Sequence, residues 1–404
     1  MNTKSNDDKT TANLLRLLRS VDVNTVKIGL EIHQANPTPE STTFLEGYCL
    51  LYNLFHFAEA TSLNSEQILL LNQCKSEYII GEGRPPLPKE IGLLPSLEKL
   101  TLINIHQPDL PKEIGNLTTL KELEVSECLL DNIPHELEQL NKLEVLILNQ
   151  NLLNSWSLPA FMEGLTTLKQ LELNRNVFKE LPDTLGQATA LEVLTLEDNQ
   201  IETISPKITN LRKLKELNLC DNQLMAIPKE IGQLRALEKL ILNHNQLTAL
   251  PPEIGALTKL EYLGLDDNQL SHLPKEIRRL THLRDLSLDN NQLKTLPNEM
   301  SALTLLKILI LSNNQLTNLC SEIGAMAELQ YLTLDNNQLI GLPQEIGQLV
   351  HLQELNLKHN RLTQLPNEIA QLTKLEYLSL RGNPISKKQK ERIKAALPHC
   401  EIYW

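Results

Sequence analysis

The stretch LEKLILNHNQLTALPPEIGAL, residues 237–257, recurs along most of the chain with the skeleton LxxLxLxxNxLxxLPxxIxxL. Successive units start 23 residues apart, except for one step of 25 residues. The starts are Leu97, Leu120, Leu143, Leu168, Leu191, Leu214, Leu237, Leu260, Leu283, Leu306, Leu329, Leu352 and Leu375. Thirteen starts in one register indicate a repeat array rather than several unrelated domains.

The parts of the skeleton predict a strand followed by a return segment. The LxL alternation is typical of a strand with one buried face, so Leu240 and Leu242 point inward. Lys239, Ile241 and Asn243 then point outward. The Pro of LPxxIxxL prevents a continuing strand and sends the chain back along the outer side. One unit alone cannot bury its Leu face, so stacking of neighbouring units supplies the core.

An asparagine recurs in the turn that follows each strand. A buried amide without hydrogen bonds costs about 1–3 kcal/mol, so we expect these side chains to form a ladder that bonds the backbone of neighbouring turns. The ladder residues are Asn151, Asn176, Asn199, Asn222, Asn245, Asn268, Asn291, Asn314, Asn337, Asn360 and Asn383.

The repeats resemble the leucine-rich-repeat family, specifically its 23-residue class with an LPxxI return. Segments that carry this resemblance include IPKEIGQL at 227–234 and LPQEIGQL at 342–349, and it covers residues 87–404. It implies an α/β solenoid with a curved parallel sheet inside and an irregular or 3-10 convex side. Intracellular Ras-group repeat proteins and bacterial homologues share this class, so the resemblance also implies a small GTPase or another signalling protein as partner. With strands about 4.8 Å apart, the inner arc would be on the order of 60 Å long.

The ends of the chain differ from the repeats. We predict a disordered polar tail over 1–11, a helical N-terminal cap domain over 12–73 and a degenerate first repeat over 74–96. Regular repeats follow over 97–380, and a C-terminal capping unit with an amphipathic helix closes residues 381–404. Phe44, Tyr48, Tyr52 and Phe55 recur at helical spacing. Core packing is the favoured interpretation of these aromatics, and a partner site is the alternative.

Composition and missing motifs limit the function. The formal net charge of −12 disfavours binding to nucleic acid or to an anionic membrane. Six scattered cysteines, no secretory signal and no long apolar segment indicate a cytoplasmic protein. The sequence contains no GxxxxGK[ST], HExxH or GxSxG motif, so we expect no cofactor, no metal and no enzymatic activity.

The candidate partner surface is the outward, concave side of the strands. Tyr262, Tyr331 and Tyr377 share one position in their repeats, and Tyr is a favoured interface residue. Acidic residues dominate the neighbouring positions, which predicts a protein partner with a basic patch. The acidic candidates are Glu197, Asp266, Asp267, Asp285, Asp289 and Asp335. The function predicted is that of a monomeric, non-catalytic scaffold or regulator in signalling.

Two other functions stay open at this point. One is an enzyme with an unrecognised site in residues 12–73, which a buried group with a strongly shifted pKa would favour. The other is a structural protein that associates with itself. The two-residue insertion near Trp156 is interpreted as a bulge, with an anchor for a partner as the alternative.

Overall fold

The computed structural model describes residues 3–158, 162 and 164–404, with side chains from residue 9 onward. Residues 1 and 2 of the predicted tail and four positions of the repeat from Leu143 lie outside this part. The chain forms two compact units, which span residues 1–177 and 178–404.

Four helices open the first unit, where the sequence predicts a helical cap. They are α1 (Thr3–Leu18), α2 (Val23–Ala35), α3 (Pro39–His56) and α4 (Ser65–Gln73). Side chains before three of them accept hydrogen bonds from the first turn: Asp22 from the Thr25 N–H, Thr38 from the Ser41 N–H and Asn64 from the Gln67 N–H. These caps explain where the helices start, because the first N–H groups of a helix have no partner inside it.

Residues 3–11 differ from the sequence-based prediction. We predicted a disordered tail, but α1 already begins at Thr3. No proline or glycine interrupts the segment from Thr3 to Leu18. Leu14 and Leu18 are buried near its end, and a packed helix extends more easily than a new one starts.

The helices pack around a buried polar contact. Tyr48 is fully buried, and its hydroxyl donates to Asn72 Oδ1 at 2.7 Å. Asn72 Nδ2 donates to the carbonyls of Leu18 and Ser20 at 2.8 and 2.7 Å. Phe44 and Phe55 are also buried, whereas Tyr52 is half-buried, so three of the four aromatic residues in α3 serve the core.

Each repeat contributes one short strand, and neighbouring strands are parallel. The first unit contains β1 (Ser76–Ile80), β2 (Lys99–Ile103), β3 (Glu122–Ser126), β4 (Val145–Ile147) and β5 (Gln170–Glu172). The second contains β6 (Val193–Thr195), β7 (Glu216–Asn218), β8 (Lys239–Ile241), β9 (Tyr262–Gly264), β10 (Asp285–Ser287), β11 (Ile308–Ile310), β12 (Tyr331–Thr333), β13 (Glu354–Asn356), β14 (Tyr377–Ser379) and β15 (Glu401–Tyr403). Within each unit the strands follow chain order, so the predicted solenoid of stacked repeats is confirmed.

The return side of the repeats consists of short 3-10 helices. A proline precedes most of them, as Pro251 and Pro274 do, with an extended backbone that ends the incoming segment. The stacking here is close, because a Cβ on Gly255 would lie 2.5 Å from the Glu276 carbonyl oxygen. In the second unit these helices are Asp183–Gln187, Pro206–Asn210, Lys229–Gln233, Pro252–Ala256, Lys275–Arg279, Asn298–Ala302, Ser321–Ala325, Gln344–Gln348 and Asn367–Gln371.

The recurring asparagine is buried and fully hydrogen-bonded in the turn after the strand. Asn268 Nδ2 donates to the carbonyls of Leu242, Leu265 and Asp266 at 2.9, 3.1 and 3.1 Å. Its Oδ1 accepts from the Leu247 N–H at 2.9 Å. Six further residues of the second unit make the same four contacts: Asn222, Asn245, Asn291, Asn314, Asn337 and Asn360.

A helix and a strand close the second unit. Ser386 caps the start of the helix α5 (Lys387–Ala396), because its side chain accepts a hydrogen bond from the Gln389 N–H. The last strand, β15, pairs with β14 in parallel. Both elements agree with the predicted C-terminal cap.

Replacing one ladder asparagine tests its contribution to stability. In Asn268→Ala, the buried Leu247 N–H and the Leu242 carbonyl each lose a partner, so the free energy of unfolding should fall by about 1–3 kcal/mol. Urea denaturation followed by circular dichroism measures this change. The exposed neighbour Gln269 is the control, and an equal loss in Gln269→Ala would contradict a special role for the ladder.

Candidate functional site

Three columns of side chains form the outward strand face of the second unit. Because the strands pair in register, a residue in one column lies beside its equivalents one repeat away. Column A, the first residue of each strand, holds Val193, Glu216, Lys239, Tyr262, Asp285, Ile308, Tyr331, Glu354 and Tyr377. Column B, the third residue, holds Thr195, Asn218, Ile241, Gly264, Ser287, Ile310, Thr333, Asn356 and Ser379. Column C, two positions after the strand, holds Glu197, Cys220, Asn243, Asp266, Asp289, Ser312, Asp335, Lys358 and Arg381.

The three predicted tyrosines share column A but do not form one cluster. Two strands separate Tyr262 from Tyr331, and one strand separates Tyr331 from Tyr377. Tyr331 is 38% exposed, and its hydroxyl donates to Gln353 Oε1 at 3.1 Å. The ring of Tyr377 lies 5.0 Å from the ring of Tyr403, a residue that the repeat pattern did not point to.

Four of the predicted residues meet on the neighbouring strands β9 and β10. Tyr262 and Asp285 are paired in column A, and Asp266 and Asp289 are adjacent in column C. The small residues Gly264 and Ser287 lie between them in column B. We call this group of six residues the acidic block.

A side chain at position 264 would fill the centre of the acidic block. A Cβ built on Gly264 would lie 3.1 Å from Tyr262 Cε1 and 2.6 Å from Asn243 Oδ1. Ser287, the other central residue, is small and donates its hydroxyl hydrogen bond to Asp266 Oδ1. The block therefore has three carboxylates and one aromatic ring around a shallow depression at Gly264 and Ser287.

The carboxylates of the block are partly desolvated. Burial is the main cause that raises the pKa of Asp266, and the neighbouring charges of Asp289 and Asp267 act in the same direction. Hydrogen bonds from Ser287 and from the Asp289 N–H at 2.8 Å oppose this rise. Burial also raises the pKa of Asp285 and that of Tyr262. A cation from outside would relieve this unfavourable charge.

Of the remaining predicted residues, Asp335 and Glu197 follow other strands than those of the block. Asp335 accepts from Asn336 Nδ2 at 2.8 Å, from Asn356 Nδ2 at 3.0 Å and from the Ser312 hydroxyl. Glu197 accepts from Asn218 Nδ2 at 3.0 Å. These carboxylates are held by neighbours on their own part of the face.

Asp267 sits in a slot whose backbone conformation limits the choice of residue. Its φ is 52°, in the left-handed region that Asn, Asp and His tolerate better than most residues. The same slot holds Asp198, Asp221, His244, Asn290, Asn313, Asn336 and His359, all with φ between 52° and 56°. The recurrence of these residue types just before the ladder asparagine was a readable signal that the sequence interpretation missed. Asp267 also faces His244, with Nε2 and Oδ2 3.4 Å apart.

The rival hypothesis of an enzyme site in residues 12–73 requires a buried titratable group, and Tyr48 meets that requirement. Burial raises the pKa of Tyr48 far above its ordinary value. Its hydroxyl, however, is engaged with Asn72 in the helical core. Next to this region, burial and then Glu77 raise the pKa of Cys74 to about 12, which disfavours the reactive thiolate.

Metal-binding clusters and membrane-spanning helices are two further features that bear on function. No group of three His, Cys, Asp or Glu side chains there has the arrangement of a metal site. No described helix combines the length and the apolar character that crossing a membrane requires.

Comparison with known families and structures identifies the repeats. A family model described as "Leucine rich repeat" matches residues 327–385, and one described as "Leucine-rich repeat region" matches 184–274 and 252–330. A leucine-rich repeat protein of Leptospira interrogans with a solved structure is 39% identical, with a TM-score of 0.79. The match covers 88% of this chain and 98% of that one. The chain belongs to the leucine-rich repeat family.

Other leucine-rich repeat structures are similar over part of their length. The plant peptide hormone receptor RGFR1, solved in complex with RGF2, is 32% identical with a TM-score of 0.64. That match covers 74% of this chain and 50% of the receptor chain. An internalin from Listeria monocytogenes shares the fold at 22% identity and a TM-score of 0.66, over 92% of this chain and 96% of its own. No curated protein matches the chain.

The electrostatic coupling inside the acidic block can be measured directly. Asp289→Asn removes a like charge beside Asp266, so the pKa of Asp266 should fall toward its ordinary value of 3.8. Carboxyl ¹³C NMR of aspartate-labelled protein reports this pKa. Asp285→Asn is the matched control, since Asp289 and Asp267 are the like charges that contribute most to the raised pKa of Asp266. Equal shifts in both variants would contradict the described geometry.

Proposed function

We propose that this leucine-rich repeat protein is a non-catalytic scaffold that binds a protein partner on the outward strand face of its second unit. The contact is centred on the acidic block, and the partner supplies a Lys or Arg side chain. Proteins of this fold generally act as binding scaffolds, and the receptor RGFR1 was solved in complex with RGF2. The observation that carries the proposal is that the three carboxylates of the block have no cationic partner among the described residues.

The carboxylates of the block lack cationic partners among the described residues. Asp266, Asp285 and Asp289 make no ion pair there, although Lys307 and Arg284 act on Asp285 from a distance. Nearby acids outside the block are paired: Glu216 with Lys239 at 2.9 Å, and Glu261 with Arg284 at 3.4 Å. This contrast supports a binding role, because unpaired and partly buried carboxylates favour an incoming cation.

The shape of the block fits a cationic side chain. An ammonium or guanidinium group over Gly264 and Ser287 would have carboxylates on three sides and the ring of Tyr262 on the fourth. Aromatic rings attract cations, and Lys239 Nζ already lies 5.9 Å from the centroid of the Tyr262 ring. A docked partner would also exclude water, which strengthens the attraction between opposite charges.

The wider setting of this function is part of the proposal. A cytoplasmic location is supported by the six cysteines, all of which are free thiols. The net charge of −12 supports a protein as the partner, because a negative surface disfavours binding to nucleic acid or to an anionic membrane. The LPxxI motif of the repeats supports a signalling protein as the partner. We expect the protein to act as a monomer.

Selection of peptides from a random display library tests the proposal with a defined probe. The intact protein should enrich peptides that contain Lys or Arg, and synthetic copies should bind in isothermal titration calorimetry. The triple variant Asp266→Asn, Asp285→Asn, Asp289→Asn should bind the same peptides at least about tenfold more weakly, a loss of about 1.4 kcal/mol. Binding to the unchanged protein should also weaken with added salt.

A second triple variant controls for net charge. Glu230→Gln, Glu253→Gln and Glu276→Gln remove three charges from 3-10 helices on the return side of the repeats. This variant should bind like the unchanged protein. Selected peptides without basic residues, or equal losses in the two variants, would overturn the proposal.

A further inference from the structure

A second surface lies in the first unit, in the turn after the strands. We call the residue after each ladder position the edge column. In seven consecutive repeats of the second unit this column holds Gln, and Arg361 and Pro384 follow in the last two. The seven are Gln200, Gln223, Gln246, Gln269, Gln292, Gln315 and Gln338. In the first unit three consecutive repeats instead place Leu129, Leu152 and Val177 there.

The apolar residues of the edge column lie on adjacent turns and face solvent. The Leu152 N–H donates to the Leu130 carbonyl at 2.8 Å, and the Val177 N–H donates to the Leu153 carbonyl at 2.9 Å. Leu129 is 51% exposed and Leu152 is 47% exposed. Neighbouring exposed apolar side chains of this kind are typical of interaction sites rather than of solvated surface.

The backbone at Leu129 is strained as well. Its φ is 59°, and a branched, bulky residue rarely adopts this left-handed conformation. Among the described residues no other leucine has a positive φ. A Gly would relieve the backbone strain, and a polar side chain would suit an exposed turn better, so folding alone does not explain this leucine.

The two-residue insertion places a tryptophan four residues after Leu152, in the turn that follows it. Trp156 is 85% exposed, and its backbone N–H donates to Asn154 Oδ1 at 2.9 Å. The Ser157 hydroxyl donates to the Asp131 carbonyl at 2.8 Å, which anchors the insertion two residues after Leu129. The turn thus holds a large aromatic side chain in solvent, and Trp is the residue type most enriched among strong interface anchors.

The charges beside Leu129 are negative. A cavity of about 300 Å³ next to Leu129 is lined by Glu82, Gly83, Asn104, Ile105, His106 and Glu127. Its lining includes two carboxylates and no Lys or Arg. Arg84 is adjacent in sequence, but its guanidinium stacks on the Phe57 ring, 3.4 Å from the centroid.

We propose that the edge formed by Leu129, Leu152 and Val177, with Trp156 in the turn after Leu152, docks a protein segment that carries apolar side chains flanked by Lys or Arg. The apolar side chains cover the edge column, and the cation lies near Glu82 and Glu127. The commitment to this partner rests on charge complementarity at Leu129, where Glu82 and Glu127 line the adjoining cavity. The site is separate from the acidic block and does not depend on it.

Three synthetic peptides of equal length serve as probes, with repeating Leu-Lys, Leu-Glu and Ser-Lys patterns. The protein used carries the neutral substitutions Asp266→Asn, Asp285→Asn and Asp289→Asn, so that the acidic block cannot bind the basic peptides. Fluorescence anisotropy should then detect binding of the Leu-Lys peptide alone. Adding Leu129→Gln and Leu152→Gln should weaken binding of the Leu-Lys peptide at least about tenfold. Gln is the residue type that this column holds in most repeats of the second unit.

A variant with other exposed apolar residues replaced, Ile340→Gln and Val350→Gln, should bind like the parent. Circular dichroism should show that all variants stay folded. Equal binding of the Ser-Lys peptide, or equal losses in the two double variants, would overturn the proposal. Light scattering over a range of concentrations covers one more outcome: self-association abolished by the Leu129 and Leu152 substitutions would identify a second copy as the occupant and would also overturn it.

Discussion

The buried asparagine in the turn after each strand is the contact on which the repeat structure depends. Its amide donates to three carbonyls and accepts from one N–H, as Asn268 does in contact with the preceding repeat. Few side chains combine donors and an acceptor at this short reach. A turn buried without such contacts would leave backbone groups unpaired, which costs about 1–3 kcal/mol for each group. The repetition of this contact therefore sets the 23-residue step and the register of the strands.

Strict register has a consequence for function. Because the leucines and the asparagine are committed to the core, outward positions line up in columns and can vary freely. Asp285 follows Tyr262 by one whole repeat in the sequence, but the two residues lie side by side on the strands β10 and β9. Leu129 and Leu152 become neighbours in the same way. The two proposed surfaces differ in chemistry, since one offers desolvated carboxylates and the other offers exposed apolar side chains beside acids.

Much of the fold could be predicted because the repeat pattern is dictated by burial. The period, the strand positions, the ladder residues and the closing helix all follow from which side chains must avoid water. The start of α1 at Thr3 could not, since a polar sequence without proline is compatible with either a helix or a tail. At the candidate site, the column shared by the three tyrosines followed from the period, but the grouping around Gly264 depended on the absence of a side chain. The left-handed slot at Asp267 and the strain at Leu129 are backbone properties, which a search for leucine periodicity does not detect.

Hydrogen–deuterium exchange of the amides that donate to the ladder tests the central role of the asparagines most directly. The N–H groups of Leu247, Leu270 and Leu293 each donate to an asparagine Oδ1 at 2.9 Å. They should be among the slowest amides of the second unit, exchanging only when the repeats unfold together. Exchange of these amides at the rate of an unstructured peptide, while the strands stay protected, would contradict the account.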